Sequence, residues 1–240
     1  SSFSFSASFI INNNDGPEEG LNDQTPAIPF DGNPGKTLGA QRLYVLEFAA
    51  DFLGTIIDLN VDVIINVNFD PDEPYILGSA RPVSFESQNL ATELPLPETV
   101  YPQSLANQFY GYDRVANESD IEININSDFD NYLGLGTVTS SSTQPHLLGI
   151  MLHEIIHGLG FLETTDSYGS YFFTYPDIYS NYLQDQLLST TWNILTDQQR
   201  SQSITSNDLH WIGSNVRHES EWIQDNYPAN LISGHWVNGN

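Results

Sequence analysis

Residues 143–163 read TQPHLLGIMLHEIIHGLGFLE, and this pattern predicts the helix around which the chain is built. The motif H-E-x-x-H lies inside the stretch, at His153, Glu154 and His157. Positions four apart lie on one face of a helix, about one turn from each other, so two imidazoles at this spacing can hold one metal ion. Glu154 then lies beside the ion, where a carboxylate can accept a proton from activated water. The motif therefore predicts a zinc site.

The residues around the motif predict a buried helix with defined ends. A cap at Thr143 or Gln144 followed by Pro145 is typical of a helix start, because the missing N–H of proline needs no partner there. Gly158 and Gly160 predict the end of the helix, because glycine adopts positive φ without steric cost. The turns between carry many apolar residues: Leu147, Leu148, Met151, Leu152, Ile155 and Ile156. Two histidines and a glutamate on so apolar a helix would be costly to bury without a ligand, which argues against a chance match.

Composition limits the kinds of partner. The chain has 240 residues, with 31 Asp plus Glu against six Lys plus Arg and a formal net charge of −25. This charge argues against binding to nucleic acid or to an anionic membrane, because both require clustered basic residues. No apolar run reaches the length of a membrane-spanning helix.

The absence of cysteine and the first residues bear on the class of protein. With no cysteine in the chain, disulfides, thiolate metal sites and a cysteine nucleophile are excluded. The chain begins Ser1-Ser2-Phe3, without an initiator methionine or a basic leader region. This beginning predicts a mature, secreted, extracellular protein.

The order of the patterns along the chain predicts an α+β fold. Strands are predicted at residues 2–9, 61–69, 75–80, 82–86 and 121–126. Besides the motif helix, helices are predicted at residues 37–58 (with Thr37 as the cap), 104–110, 177–188 and 196–204. Strand patterns nearly vanish after the motif, so we predict a catalytic subdomain at 1–163 and a smaller C-terminal subdomain at 164–240 that closes an active-site cleft.

Two segments before the motif have predicted binding roles. Residues 121–126 alternate isoleucine with polar residues, which predicts an antiparallel edge strand with one wet face. An unpaired edge can bind an extended peptide as an added strand, so Ile121, Ile123 and Ile125 are candidate substrate-binding residues. Residues 12–35 form a long acidic loop whose oxygens could bind calcium. The loop lacks the spaced ligands of a recognisable calcium site, so a solvated loop is the alternative.

The third zinc ligand has several candidates, because a catalytic zinc usually has three protein ligands and keeps one position open. His146 is excluded, since it lies about 10 Å along the same helix from His153. Glu163 occupies the position at which the long metzincin motif carries its third histidine. His235 lies in the segment Ser233-Gly234-His235-Trp236.

Later acidic residues and histidines complete the set of candidates. Glu219 and Glu221 are the late glutamates that a gluzincin arrangement would use. His210 and His218 have no motif around them, so surface or packing roles are predicted for both.

Residues 153–161, HEIIHGLGF, followed far downstream by Gly234-His235-Trp236, resemble the leishmanolysin-like zinc metallopeptidases of the metzincin clan. The resemblance is to their cysteine-free bacterial secreted relatives in particular, and it extends over residues 121–163. In that family a distant segment supplies the third zinc-binding histidine, which implies His235 here. The single methionine, Met151, precedes the motif, whereas the methionine turn of the clan follows the third ligand.

The resemblance also implies a fold. A metzincin-like catalytic subdomain has a twisted mixed sheet with an antiparallel edge strand, packed on two long helices. A smaller irregular or helical C-terminal subdomain is expected to follow.

The predicted function is that of a secreted zinc endopeptidase acting on proteins or peptides. Zinc would polarise the scissile carbonyl, and Glu154 would act as general base and pass the proton to the leaving amine. One alternative is a non-enzymatic binding or adhesion module with a structural zinc, which is usually closed by four protein ligands. That alternative gains weight if both His235 and Glu163 bind the ion. Another is a zinc hydrolase acting on a substrate other than a peptide.

Overall fold

The computed structural model describes residues 7–87, 93–116, 118–136, 143–206 and 208–212. The α-helices are α1 (Leu38–Gly54), α2 (Gln103–Tyr110), α3 (Leu147–Gly158) and α4 (Asp197–Ser203). The strands are β1 (Phe9–Asn13), β2 (Val63–Asp70), β3 (Gly78–Pro82), β4 (Phe85–Ser87), β5 (Val100–Pro102), β6 (Ile121–Asn126), β7 (Leu183–Asp185), β8 (Thr190–Thr191) and β9 (Leu209–Trp211). The predicted α+β class is confirmed.

The chain divides into two compact units. The first unit comprises Ser1–Phe85 and Pro102–Leu159, and the second comprises Glu86–Tyr101 and Gly160–Asn240. The predicted subdomains, 1–163 and 164–240, differ from these units by placing the segment Glu86–Tyr101 and residues 160–163 in the N-terminal part. Among the described residues, no helix is long and apolar enough to cross a bilayer.

The first unit is built on a four-stranded mixed sheet in the order β1-β2-β6-β3. Strands β1, β2 and β6 run parallel, and β3 runs antiparallel to β6. Alternate residues of β2 and β6 are buried, namely Val63, Ile65, Val67, Phe69, Ile121, Ile123 and Ile125. These side chains join residues of α1 and α3 in one hydrophobic core, so both long helices pack on the same face of the sheet.

Helix α1 follows the predicted pattern. The Thr37 side chain accepts a hydrogen bond from the Ala40 N–H at 3.1 Å, so the predicted cap is confirmed. The side chains of α1 that face the core are Val45, Leu46, Ala49, Ala50 and Leu53. Their spacing of three and four residues is the period of one helix face.

The prediction that residues 121–126 form an edge strand is wrong, although their bounds are those of β6. Strand β6 pairs with β2 on one side and with β3 on the other, so both of its hydrogen-bonding edges are occupied. The antiparallel edge strand is β3. The alternation of isoleucine and polar residues in β6 instead distinguishes the two faces of the sheet. The isoleucines are fully buried on one face, whereas Glu122 and Asn124 lie half-exposed on the other.

The second unit contains more strand than predicted. Strands β8, β7 and β9 form a three-stranded antiparallel sheet in that order. The predicted helix at 196–204 is confirmed as α4, which begins with a capping box between Thr196 and Gln199. Strands of two or three residues are too short to show an alternation, which is why the sequence pattern missed them.

The predicted helix at 177–188 is wrong. The Asp177 side chain accepts hydrogen bonds from the backbone N–H and the hydroxyl of Ser180, at 2.7 and 2.9 Å. Such local bonds offer the backbone an alternative to a helix. A single 3₁₀ turn, Ser180–Tyr182, forms there, and the chain then extends into β7.

Candidate metal centre

Helix α3 begins at Leu147, two residues after the proline predicted to start it, and its cap is His146. The imidazole Nδ1 accepts from the Gly149 N–H at 3.4 Å, and Nε2 donates to the Gly136 carbonyl at 2.7 Å. The predicted caps at Thr143 and Gln144 are therefore wrong. An imidazole nitrogen satisfies the same unpaired helix N–H that Ser, Thr, Asp or Asn usually caps.

The C-terminal end of α3 lies close against β6. A Cβ atom added to Gly158 would lie 2.5 Å from side-chain carbons of Ile121, so only glycine fits there. Gly160 follows with a φ of 110°, which agrees with the prediction that glycine turns the chain at this point.

The two histidines of the motif are brought together on α3. Their Nε2 atoms lie 2.9 Å apart, and the ring centroids lie 4.6 Å apart with the rings nearly perpendicular. Burial, and to a smaller extent the charge of His157, lowers the pKa of His153. The neutral imidazole is the form that binds metals, so this shift favours a ligand role.

The pair fits a zinc ion on geometric grounds. A tetrahedral zinc with Zn–N bonds of about 2.0–2.1 Å separates two ligand nitrogens by about 3.4 Å. The observed separation of 2.9 Å is slightly smaller, so a small rotation of either ring brings the two nitrogens to that distance.

Glu154 lies between the two histidines in sequence and is almost fully buried, with 5% of its surface exposed. Burial raises the pKa of Glu154 to about 7. Strand β3 passes close to this residue: a Cβ atom added to Gly78 would lie 3.4 Å from Glu154 Cγ and 2.9 Å from Ile150 Cγ2. The stem of the Glu154 side chain therefore lies where edge strand β3 approaches the motif helix.

The raised pKa has a consequence for the metal-free protein. The folded-state pKa of about 7 exceeds the ordinary value of 4.5, so the folded protein holds the Glu154 proton more tightly than the unfolded chain does. The free energy of unfolding is therefore highest below pH 4.5 and falls as the pH rises to about 7. The shift corresponds to about 3 kcal/mol. After treatment with a chelator, Glu154→Gln should be more stable than the wild type at pH 8 by up to about 3 kcal/mol, and nearly equal to it at pH 4.

Urea unfolding at the two pH values measures this difference. The exposed Glu47→Gln, on α1, serves as the control and should leave the free energy of unfolding unchanged. Equal stability of Glu154→Gln and the wild type at pH 8 would show that the buried charge is not costly.

Among the described residues, β3 is one of the two edge strands of the sheet, the other being β1. The hydrogen bonds at the two ends of β3 fix which of its backbone groups face outward. The Asn126 N–H donates to the Leu77 carbonyl at 3.1 Å, and the Val83 N–H donates to the Asp120 carbonyl at 2.9 Å. In an antiparallel pair, residues that bond to the partner strand alternate with residues that do not. The odd-numbered residues of β3 therefore bond to β6.

It follows that the N–H and C=O groups of Gly78 and Ala80 point away from the sheet. Pro82, which has no N–H, occupies the next outward position, as expected for proline in an edge strand. The predicted substrate-binding residues Ile121, Ile123 and Ile125 are fully buried in an interior strand, so that assignment is wrong. The strand predicted at 75–80 overlaps β3, but the sequence analysis did not identify it as the edge strand, for which the signal was the proline at its end.

The candidates for the third ligand are placed as follows. Glu163 lies in the second unit, where its Oε2 accepts from the Thr165 N–H at 2.8 Å. Burial raises the pKa of Glu163 to about 7. His210 lies in β9 opposite Gln184.

The remaining candidates, His218, Glu219, Glu221 and His235, lie outside the described residues. Within the part of the chain that is described, no three or more His, Cys, Asp or Glu side chains are grouped as a metal site. The third ligand therefore stays a prediction.

In the acidic loop before α1, the carboxylate of Asp15 accepts backbone hydrogen bonds that hold the loop in place. The two oxygens of Asp15 accept from the Leu21 and Phe69 N–H groups, at 2.6 and 2.7 Å. These bonds tie the loop to the end of β2. The calcium prediction for this loop stays untested.

Comparison with known proteins places the chain in a family. The profile of the family described as SPBPB7E8-like matches residues 35–213, about three quarters of the chain. Searches of curated proteins and of solved structures gave no match. The matched region includes α1, the whole motif helix α3 and strand β9. The chain belongs to the SPBPB7E8-like family.

Proposed function

We propose that the protein is a secreted zinc-dependent endopeptidase of the metzincin type. The observation that carries the proposal is the pair of imidazoles on α3, 2.9 Å apart, with the buried carboxyl group of Glu154 beside them. The resemblance of the motif to the leishmanolysin-like peptidases supports the same activity.

The chemistry can be assigned to residues of this chain. His153 and His157 would hold zinc, which when bound supplies the Lewis acidity that polarises a peptide carbonyl and activates water. Glu154 would accept a proton from the attacking water and deliver it to the leaving amine. A carboxyl group with a pKa of about 7 is suited to both transfers near neutral pH.

The substrate would bind along the outer edge of β3. An extended peptide can add to an unpaired strand edge through backbone hydrogen bonds, and no strand of the described residues pairs with the outward groups of Gly78 and Ala80. A Cβ atom added to Gly78 would lie 3.4 Å from Glu154 Cγ, so a peptide on this edge would run past the general base. Extended protein segments are therefore the proposed substrates.

The edge-strand role is tested by Ala80→Pro, which removes one outward N–H. Proline is tolerated in edge strands where the N–H faces away from the sheet, so the fold should be kept. Loss of one substrate hydrogen bond should lower kcat/KM by about 3–10-fold. The matched control is Ala80→Ser, which keeps the N–H and should retain the activity. An unchanged kcat/KM in Ala80→Pro would remove β3 from the proposal.

The third ligand is tested by zinc titration of two single variants. If His235 completes the site, as the resemblance implies, His235→Ala should weaken zinc binding sharply and Glu163→Ala should have a small effect. If Glu163 completes the site, the two results should be reversed. Loss of zinc from both variants, with no peptidase activity in the wild type, would instead indicate a closed structural site and an adhesion or binding module.

A further inference from the structure

The C-terminal end of α3 is held by a side chain of α2. Ser104 is fully buried, and its hydroxyl donates to the Gly158 carbonyl at 2.6 Å. Gly158 is the last residue of α3, and carbonyls of the last helical turn have no partner within the helix. A buried carbonyl without a hydrogen-bond partner is destabilising, and Ser104 supplies the partner that the helix cannot provide.

Helix α2 is fixed independently of this bond. The Asn107 amide donates to Asp120 Oδ1 at 3.0 Å, while Asp120 Oδ2 accepts from the Ile64 N–H at 2.9 Å. The Gln108 side chain accepts from the Val61 N–H and donates to the Val61 carbonyl, both at 3.1 Å. These bonds join α2 to β2 and to the start of β6, so the position of Ser104 is set by the sheet.

The end of α3 is therefore held from two directions. Gly158 lies directly against Ile121 of β6, where even a Cβ atom would clash, and Ser104 holds its carbonyl. His157 precedes Gly158 in the same turn. The orientation of its imidazole toward His153 depends on the backbone of this turn being ordered.

We propose that Ser104 is a positioning residue for the metal centre. Its hydroxyl fixes the last turn of α3 and thereby fixes His157 relative to His153. The inference rests on the proposed zinc site. Groups that orient metal ligands typically change metal affinity by about 10–100-fold. Because Ser104 acts through the backbone, its removal should weaken zinc binding by about tenfold, at the lower end of that range.

The test is a zinc titration of the full chain as wild type, Ser104→Ala and Ser104→Thr. Ser104→Ala should bind zinc about tenfold more weakly, whereas Ser104→Thr keeps the hydroxyl and should bind more tightly than Ser104→Ala. The matched control is Ser203→Ala, which removes another buried hydroxyl, one that donates to Asp185 at 2.5 Å in the second unit. This control should lose stability but keep its zinc affinity.

Cobalt substitution adds a readout that a general loss of stability would not change. The visible absorption bands of Co²⁺ report ligand geometry, and they should shift in Ser104→Ala but not in Ser203→Ala. Wild-type affinity and an unchanged cobalt spectrum in Ser104→Ala would overturn the role of Ser104 and leave the proposed function intact. Failure of the wild type to bind zinc would overturn both.

Discussion

Replacing Glu154 by glutamine should lower kcat for peptide hydrolysis by about 10²–10⁴-fold, the usual contribution of general acid–base catalysis. Glutamine keeps the size and the buried position of the side chain but cannot accept a proton. Zinc content should remain at the wild-type level, because Glu154 is not proposed as a ligand. The kcat of both proteins is measured with a denatured protein substrate under saturating zinc.

The control for this variant is Glu47→Gln, which changes an exposed glutamate on α1 by the same atoms. Its activity should equal that of the wild type. Undiminished turnover in Glu154→Gln would assign the general base to another residue, and loss of zinc from this variant would mean that Glu154 is itself a ligand.

The second large effect is expected from the histidine pair. Zinc binding to a structural site with four protein ligands has a free energy of about 10–16 kcal/mol, which is about 2.5–4 kcal/mol for each ligand. His153→Ala or His157→Ala should therefore weaken zinc binding by about 10²–10³-fold each. The double variant should carry no zinc after dialysis. His210→Ala changes a histidine of β9 in the second unit and is the control. Full zinc occupancy in the double variant would contradict the site.

The sequence predicted the elements of the first unit because its residues carry local signals. Thr37 caps α1 as Ser, Thr, Asp and Asn commonly do, and residues 121–126 alternate with the period of a strand. The motif helix was predicted from its apolar residues and from the spacing of His153 and His157. Each of these signals lies within a few residues of the chain.

The errors concern information that local patterns do not contain. An alternating strand shows which side chains are buried, but not whether its backbone edges are paired, so β6 was taken for the edge in place of β3. His146 was missed as a cap because a preceding threonine and proline resembled a helix start. The bond from Ser104 to Gly158 joins residues 54 apart in sequence, and no local pattern predicts such a contact.

The proposed activity is tested most directly by adding zinc back to the chelator-treated full chain during digestion of a denatured protein, with the products identified by mass spectrometry. Hydrolysis of internal peptide bonds should be absent without metal and should rise with added zinc to a maximum at about one equivalent per chain. Binding of one equivalent of zinc without cleavage of any peptide bond would contradict the proposed function.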